Sequence, residues 1–202
     1  MSPQELLAAA PSAGLNGVCV TDHYSIAGAD VTQRLSHSQE IPVFRGVEAR
    51  TDLGDMLVFG YYRDLREGIS LDRLCAIVHE AGGLVFAAHP FHTRGGPSLA
   101  QAFRRRGLDL ETEWDRVEAM RHLDGVETLN GNVAPADNAL ARSLGAQLGV
   151  PGIGGSDAHT AHMLGTAATR FPAPIRSDHE LVAALRHGDY RPARLGDTGE
   201  IG

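Results

Sequence analysis

From residue 17 to residue 186, short continuous apolar runs alternate with stretches whose apolar residues recur every three or four positions. Gly17-Val18-Cys19-Val20-Thr21 reads as a buried strand, Pro42 to Val47 as a second and Asp55 to Tyr61 as a third. Between Leu71 and Ala81 the apolar positions are 71, 74, 77 and 78, a helical stripe that Gly82-Gly83 ends. Gly83 to Ala88 predicts a fourth strand, Ser98 to Arg106 a helix, and 111–122 a strongly charged helix. A fifth strand follows at Gly125 to Leu129, a helix at 135–147 and a sixth strand at Val150 to Gly155. Residues 165–171 form a candidate seventh strand, and Asp178 to Arg186 a last helix. Strand–helix alternation with continuous apolar strands predicts an α/β fold around a largely parallel sheet.

The two ends depart from that rhythm. Ser2-Pro3-Gln4-Glu5 is a helix start: Ser at the cap, Pro at the first helical position and Glu three residues past the cap. Pro11 is expected to end or kink that helix. A parallel α/β fold usually opens on a strand that feeds its first helix, so the pattern predicts that the first strand is missing. At the other end, the Gly-, Arg- and Asp-rich stretch 191–202 reads as a loose tail behind one domain at 1–190. No apolar run approaches the ~20 residues needed to span a bilayer. No basic-then-apolar export signal opens the chain. Cys19 and Cys75 match no metal or redox spacing. A reducing cytoplasm is the expected setting, with no membrane partner.

Charge sharpens the picture. All 18 basic residues are arginine, which excludes a phosphate-loop lysine, a Schiff-base lysine and pyridoxal-phosphate chemistry. The formal net charge of −7 disfavours a general nucleic-acid surface. Ten histidines beside 25 acidic residues make metal binding the first idea to test.

Those residues fall in a telling place. Predicted strands run out into Thr21-Asp22-His23, Gly46-Val47-Glu48, Ala88-His89-Pro90, Glu127-Thr128-Leu129-Asn130 and Gly155-Ser156-Asp157-Ala158-His159. In parallel α/β barrels the C-terminal strand ends share the face that holds the active site. Each motif alone has an ordinary reading: an Asx turn, a salt-bridge partner, a hydrogen-bonded histidine. Together they put imidazoles and carboxylates in one cleft, a mixed donor set that suits Zn, Mn or Fe better than Mg or Ca. Asp157-x-His159 stands out, because alternate residues of an extended segment share a side. Gly154-Gly155 reads as a tight turn that lets Asp157 approach.

These motifs, in this order and rough spacing, resemble those of the PHP domain, the polymerase and histidinol phosphatase superfamily, over about residues 2–187. The resemblance implies a distorted seven-stranded β/α barrel with a trinuclear metal centre and phosphoesterase activity. It implies His23, Glu48, His89, Asp157 and His159 as ligands of two or three divalent ions, with Glu48 bridging two. It further implies attack by a metal-bound hydroxide, with no protein nucleophile. Two departures stand beside it. The family's His-x-His pair at the end of strand one is absent, and is expected to be encoded upstream of Met1. Asp55 stands where many members carry a histidine, and is a further ligand candidate.

Around that set, Asp22, Glu127 and Asn130 are candidates for orienting the ligands. His92 and Arg94 are candidates for holding a substrate phosphate. His79 reads as a boundary residue, and Arg104-Arg105-Arg106 as a solvated helix end. The leading reading is a phosphoesterase acting on a small phosphorylated metabolite, a nucleotide or a nucleic-acid end, with small substrates favoured. A catalytically inactive PHP-like binding module is the alternative. An amidohydrolase-like enzyme cleaving C–N bonds is a weaker one.

Overall fold

The computed structural model describes residues 1–37, 41–93 and 97–195. Helix α1 (Pro3–Ser12) begins as its sequence dictates: Ser2 Oγ accepts the Glu5 amide while Glu5 Oε2 accepts the Ser2 amide. Then follow β1 (Val18–Val20), α2 (Ala27–Ser36), β2 (Val43–Thr51), β3 (Gly54–Phe59), α3 (Leu71–Glu80) and β4 (Leu84–Ala87). The second half holds α4 (Leu99–Arg105), α5 (Leu110–Glu113), β5 (Gly125–Asn130), α6 (Pro135–Leu148), β6 (Gly152–Gly155), β7 (Ala168–Arg170), α7 (Asp178–His187) and β8 (Arg191–Ala193).

Six strands form one curled half-barrel sheet in the order β1-β2-β3-β4-β5-β6, and β7 pairs with β8 in a second, two-stranded sheet. The β1–β2, β4–β5 and β5–β6 pairings are parallel. Strand β3 runs antiparallel to both neighbours, a departure from the expected parallel order. Only Asp52 and Leu53 separate β2 from β3, and so short a connection forces a hairpin. Gly54 at φ +105° completes the turn, where an added Cβ would lie 2.7 Å from the Leu99 backbone nitrogen.

Alternation along β2 sorts the two faces of the sheet. Val47 and Ala49 join Met56 and Val58 of β3, Val85 and Ala87 of β4, and Val126 of β5 in the main core. Helices α3, α4 and α6 cover that core with Leu71, Leu74, Val78, Phe103 and Leu144. Phe44 and Glu48 face the concave side, which opens into a cavity of about 1080 Å³. Among the described residues, β1 pairs on one edge only, and its other edge borders this cavity.

Three further predictions change. The charged helix expected over 111–122 is a single α turn followed by 3₁₀ turns at Trp114–Arg116 and Glu118–His122, because Val117 takes extended backbone between them. Gly154 and Gly155 lie inside β6 rather than in a turn. Residues 191–193 of the expected loose tail form β8, Thr169 lying opposite Pro192; residues 196–202 of that tail lie outside the described residues.

Candidate metal centre

Glu48 is the hub. It lies within β2, three residues before the end of a strand longer than the sequence pattern indicated. An isolated parallel bridge sets it beside His23, just past β1. Its two carboxylate oxygens face different imidazoles: Oε2 lies 3.7 Å from His23 Nδ1, and Oε1 lies 3.2 Å from His89 Nε2. His23 is half-exposed, whereas His89 is nearly covered.

Asp55 joins from behind. Because β3 runs backwards, its first residues lie at the sheet end where the parallel strands finish. Glu48, Asp55 and His89 each offer a ligand atom, and these atoms all lie within 4.8 Å of one another. Asp55 is 3% exposed and ion-paired to Arg50, its cross-strand partner, with Nε–Oδ1 at 2.9 Å. Nothing in the sequence reading singled out Arg50. Its spacing of two from Glu48 on a strand was the available signal, since it puts both residues on one face.

His89 is held by its backbone. Its amide donates to Glu127 Oε2 at 2.9 Å, and Asn130 Nδ2 donates to the same oxygen at 3.0 Å. Glu127 therefore fixes the peptide of His89 rather than its ring, the expected target. Asn138, which the sequence reading missed, clamps Asn130 from α6: its Oδ1 accepts the Asn130 amide and its Nδ2 donates to the Asn130 carbonyl. Burial pushes the Glu127 carboxyl up to about 7, against the pull of the His89 charge and of these hydrogen bonds. Burial also works against a charged His89, but the hydrogen bond to Glu48 and the charges of Glu127, Glu48 and Asp157 outweigh it and raise its pKa to about 9. Gly155 is what lets Glu127 lie here, since a Cβ on it would come within 2.7 Å of Glu127 Oε1.

The other candidates divide. Asp157 and His159 line the same cavity as His23, Glu48, His89, Glu127 and Asn130. Asp157 Oδ2 accepts from Asn132 Nδ2 at 3.4 Å, while the His159 ring turns back to the Asp157 carbonyl at 3.0 Å and stays exposed. Asp22 lines the cavity, and its carboxylate packs where a side chain on Gly28 of α2 would stand. His92 packs on His89 with ring centroids 5.2 Å apart; burial first, and then the His89 charge, lower its pKa. Arg94 lies outside the described residues.

The donor set fits divalent ions. His89 Nδ1 is buried and makes no hydrogen bond among the described residues, an uncommon state for a buried polar nitrogen. Among the described residues three non-glycine residues take left-handed backbone: His89 (φ +25°) and Asp157 (φ +50°), which line the cavity, and Tyr24 (φ +61°), next to His23. Such strain clusters at ligand clamps.

Known proteins share this architecture. Residues 135–190 match the family model described as PHP-associated. The uncharacterized protein MJ1587 of Methanocaldococcus jannaschii is 28% identical over 124 residues, 61% of this chain and 70% of that protein. PsfC from Pseudomonas syringae PB-5123 superposes with a TM-score of 0.65 at 19% identity, over 95% of this chain and 82% of PsfC. A structure assigned as a metal-dependent phosphoesterase from Bifidobacterium adolescentis ATCC 15703 gives 0.62 at 18%, over 93% and 91%. Endonuclease Q, bound to a duplex with an abasic lesion, gives 0.60 at 15%, over 96% of this chain and 55% of its own. At these identities the structural likeness is one of fold, and the fold is one that metal-dependent hydrolases use. With the matched PHP-associated segment, it bears out the resemblance to the PHP domain drawn from the strand-end motifs.

Proposed function

We propose that the chain is a metal-dependent phosphoesterase that hydrolyses a phosphate monoester or diester. The observation that carries this reading is the Glu48 carboxylate, whose two oxygens face two different imidazoles at the rim of one cavity. A carboxylate so placed is suited to bridge a pair of ions. Glu48, His89, Asp55 and His23 form the inner donor set, with Asp157 and His159 lining the same cavity. Divalent ions bound there supply a water nucleophile near neutral pH and positive charge for the phosphoryl oxygens. The protein's part is positional. Glu127 and Asn130 hold the His89 peptide in its left-handed conformation, and with it the direction of the ring. Asn132 holds one oxygen of Asp157. No serine or cysteine nucleophile is required.

The cavity, about 1080 Å³, is large enough for a phosphorylated metabolite or nucleotide, since ligand sites commonly span roughly 300–1,000 Å³. The net charge of −7 favours a small substrate over a long nucleic acid. The test is a panel of phosphate monoesters, phosphodiesters and cyclic amides, offered to protein reconstituted with Mn²⁺ or Zn²⁺, with metal counted by elemental analysis. Phosphate-ester hydrolysis that a chelator abolishes is the expected result. Less than one equivalent of metal after reconstitution would favour the inactive binding module. Turnover of cyclic amides alone would favour C–N hydrolysis.

A further inference from the structure

Asp55 differs from the other candidate ligands in one respect: among the described residues, it alone is ion-paired to an arginine. Both its oxygens are engaged, Oδ1 by Arg50 Nε at 2.9 Å and Oδ2 by Nη2 at 3.4 Å. The two residues face each other in the β2–β3 register. A carboxylate this deeply buried needs a cation beside it. Glu48 also contributes to the charge that Arg50 feels, so the guanidinium is a permanent positive charge at the inner corner of the Glu48–Asp55–His89 cluster, one that, unlike a protonated His89, cannot be given up as a proton. Glu48 and Asp55 together bring two negative charges, and Arg50 cancels one of them.

We propose that Arg50 is a resident counter-cation that competes with a divalent ion for Asp55, and so sets how tightly this inner corner binds metal. The inference rests on the metal-centre reading above. In the metal-free protein Arg50 holds the buried carboxylate and keeps the hairpin intact. When an ion takes an oxygen of Asp55, Arg50 yields part of its fork, and its charge opposes the incoming dication. Arg50 is thus a positioning residue: it acts on the metal through Asp55. Lysine in its place keeps the opposing charge but not the fork.

The full chain, stripped with chelator, is titrated with Mn²⁺ by calorimetry at pH 8 and melted with and without Mn²⁺. Arg50→Gln is expected to bind Mn²⁺ about tenfold or more tighter than wild type, as removal of one unit charge from a partly buried site implies. Without metal it melts below wild type, and Mn²⁺ raises its midpoint by more than it raises wild type's. Arg50→Lys stays within about threefold of wild type, because the opposing charge remains. Arg50→Gln affinity equal to or weaker than wild type would overturn the inference, leaving Arg50 as a brace for the hairpin. Should Arg50→Gln not fold, Asp55→Asn decides: the inference expects its Mn²⁺ affinity to fall about tenfold or more, since a ligand is lost and Arg50 is left unopposed. Unchanged affinity there overturns it. A wild type that takes up no Mn²⁺, or takes it up as Glu48→Gln does, overturns the metal-centre reading itself and is a different result from either.

Discussion

Glu48 separates two kinds of ligand loss. Its carboxylate serves both imidazoles, whereas His23 faces one oxygen from a half-exposed position. Glu48→Gln keeps the shape and removes the charge that two ions would share. Phosphoesterase activity is expected to fall on the order of tenfold further in Glu48→Gln than in His23→Asn, about 1.4 kcal/mol of transition-state stabilisation. Steady-state rates on the best ester of the panel measure the gap; equal rates would move the bridging role elsewhere. The supporting residues answer to stability instead. Asn138 is 2% exposed and satisfies both backbone groups of Asn130. Asn138→Leu is expected to cost about 1–3 kcal/mol in a denaturant melt, because it leaves a buried N–H and C=O without partners. Glu127 and Asn130 were legible as helpers from their place at the end of β5. Asn138 was not, since an asparagine within a helix reads as a solvated position until α6 is seen to turn it towards the sheet.

The hairpin is the element that makes the site. Reversal of β3 brings Asp55 beside Arg50 of β2, to the end of the sheet that also carries His23 and His89. The sequence offered Asp55 as a ligand candidate only through the family resemblance; its strand pattern did not show that β3 reverses, and a β3 parallel to its neighbours would have left Asp55 at the far end. The seven residues left between the two predicted strands, 48–54, already held the necessary information, because a parallel crossover needs roughly a dozen or more. Ligand-bearing strand ends were otherwise readable from their apolar runs, and β7 falls inside the strand expected over 165–171, while β8, three residues long, is too short to show any period. Gly54 tests the element directly. An alanine there meets the α4 entry at Ser98 and Leu99 as well as an unfavourable φ of +105°. Gly54→Ala is expected to destabilise by about 1–3 kcal/mol, as overpacking does, and to weaken Mn²⁺ binding by displacing Asp55. Thermal melts and calorimetry together read both effects; loss of stability with unchanged binding would show that Asp55 tolerates movement of the turn.

For the whole molecule, the proposed centre predicts that metal acts as a folding ligand, since its candidate donors lie on β2 and β3 and in the segments just after β1, β4 and β6 and come together only in the folded chain. At a free-metal concentration 100 times its dissociation constant, one site adds about 2.7 kcal/mol to stability. The gain depends on pH in a definite direction. Metal binds neutral imidazole and ionised carboxylate, so binding releases protons. His89, with its pKa raised to about 9, is protonated in the metal-free protein at pH 7 and must give up that proton to become a ligand. Metal-induced stabilisation is therefore expected to grow as pH rises from 6 to 9 and to vanish at low pH. Melts with Mn²⁺ and with chelator across that range measure it; a gain independent of pH would mean that the ion binds away from His89.

The left-handed residues at the rim carry a consequence for how this chain can change over generations. His89 and Asp157 adopt backbone angles that glycine reaches without penalty, yet glycine brings no donor atom. The two demands pull in opposite directions at the same codons. A library randomised at 89 and 157 and selected for heat resistance alone should drift towards glycine; selected for turnover, it should return to histidine and aspartate. Enrichment of the same residues under both selections would show that the rim is not where stability and activity trade against each other.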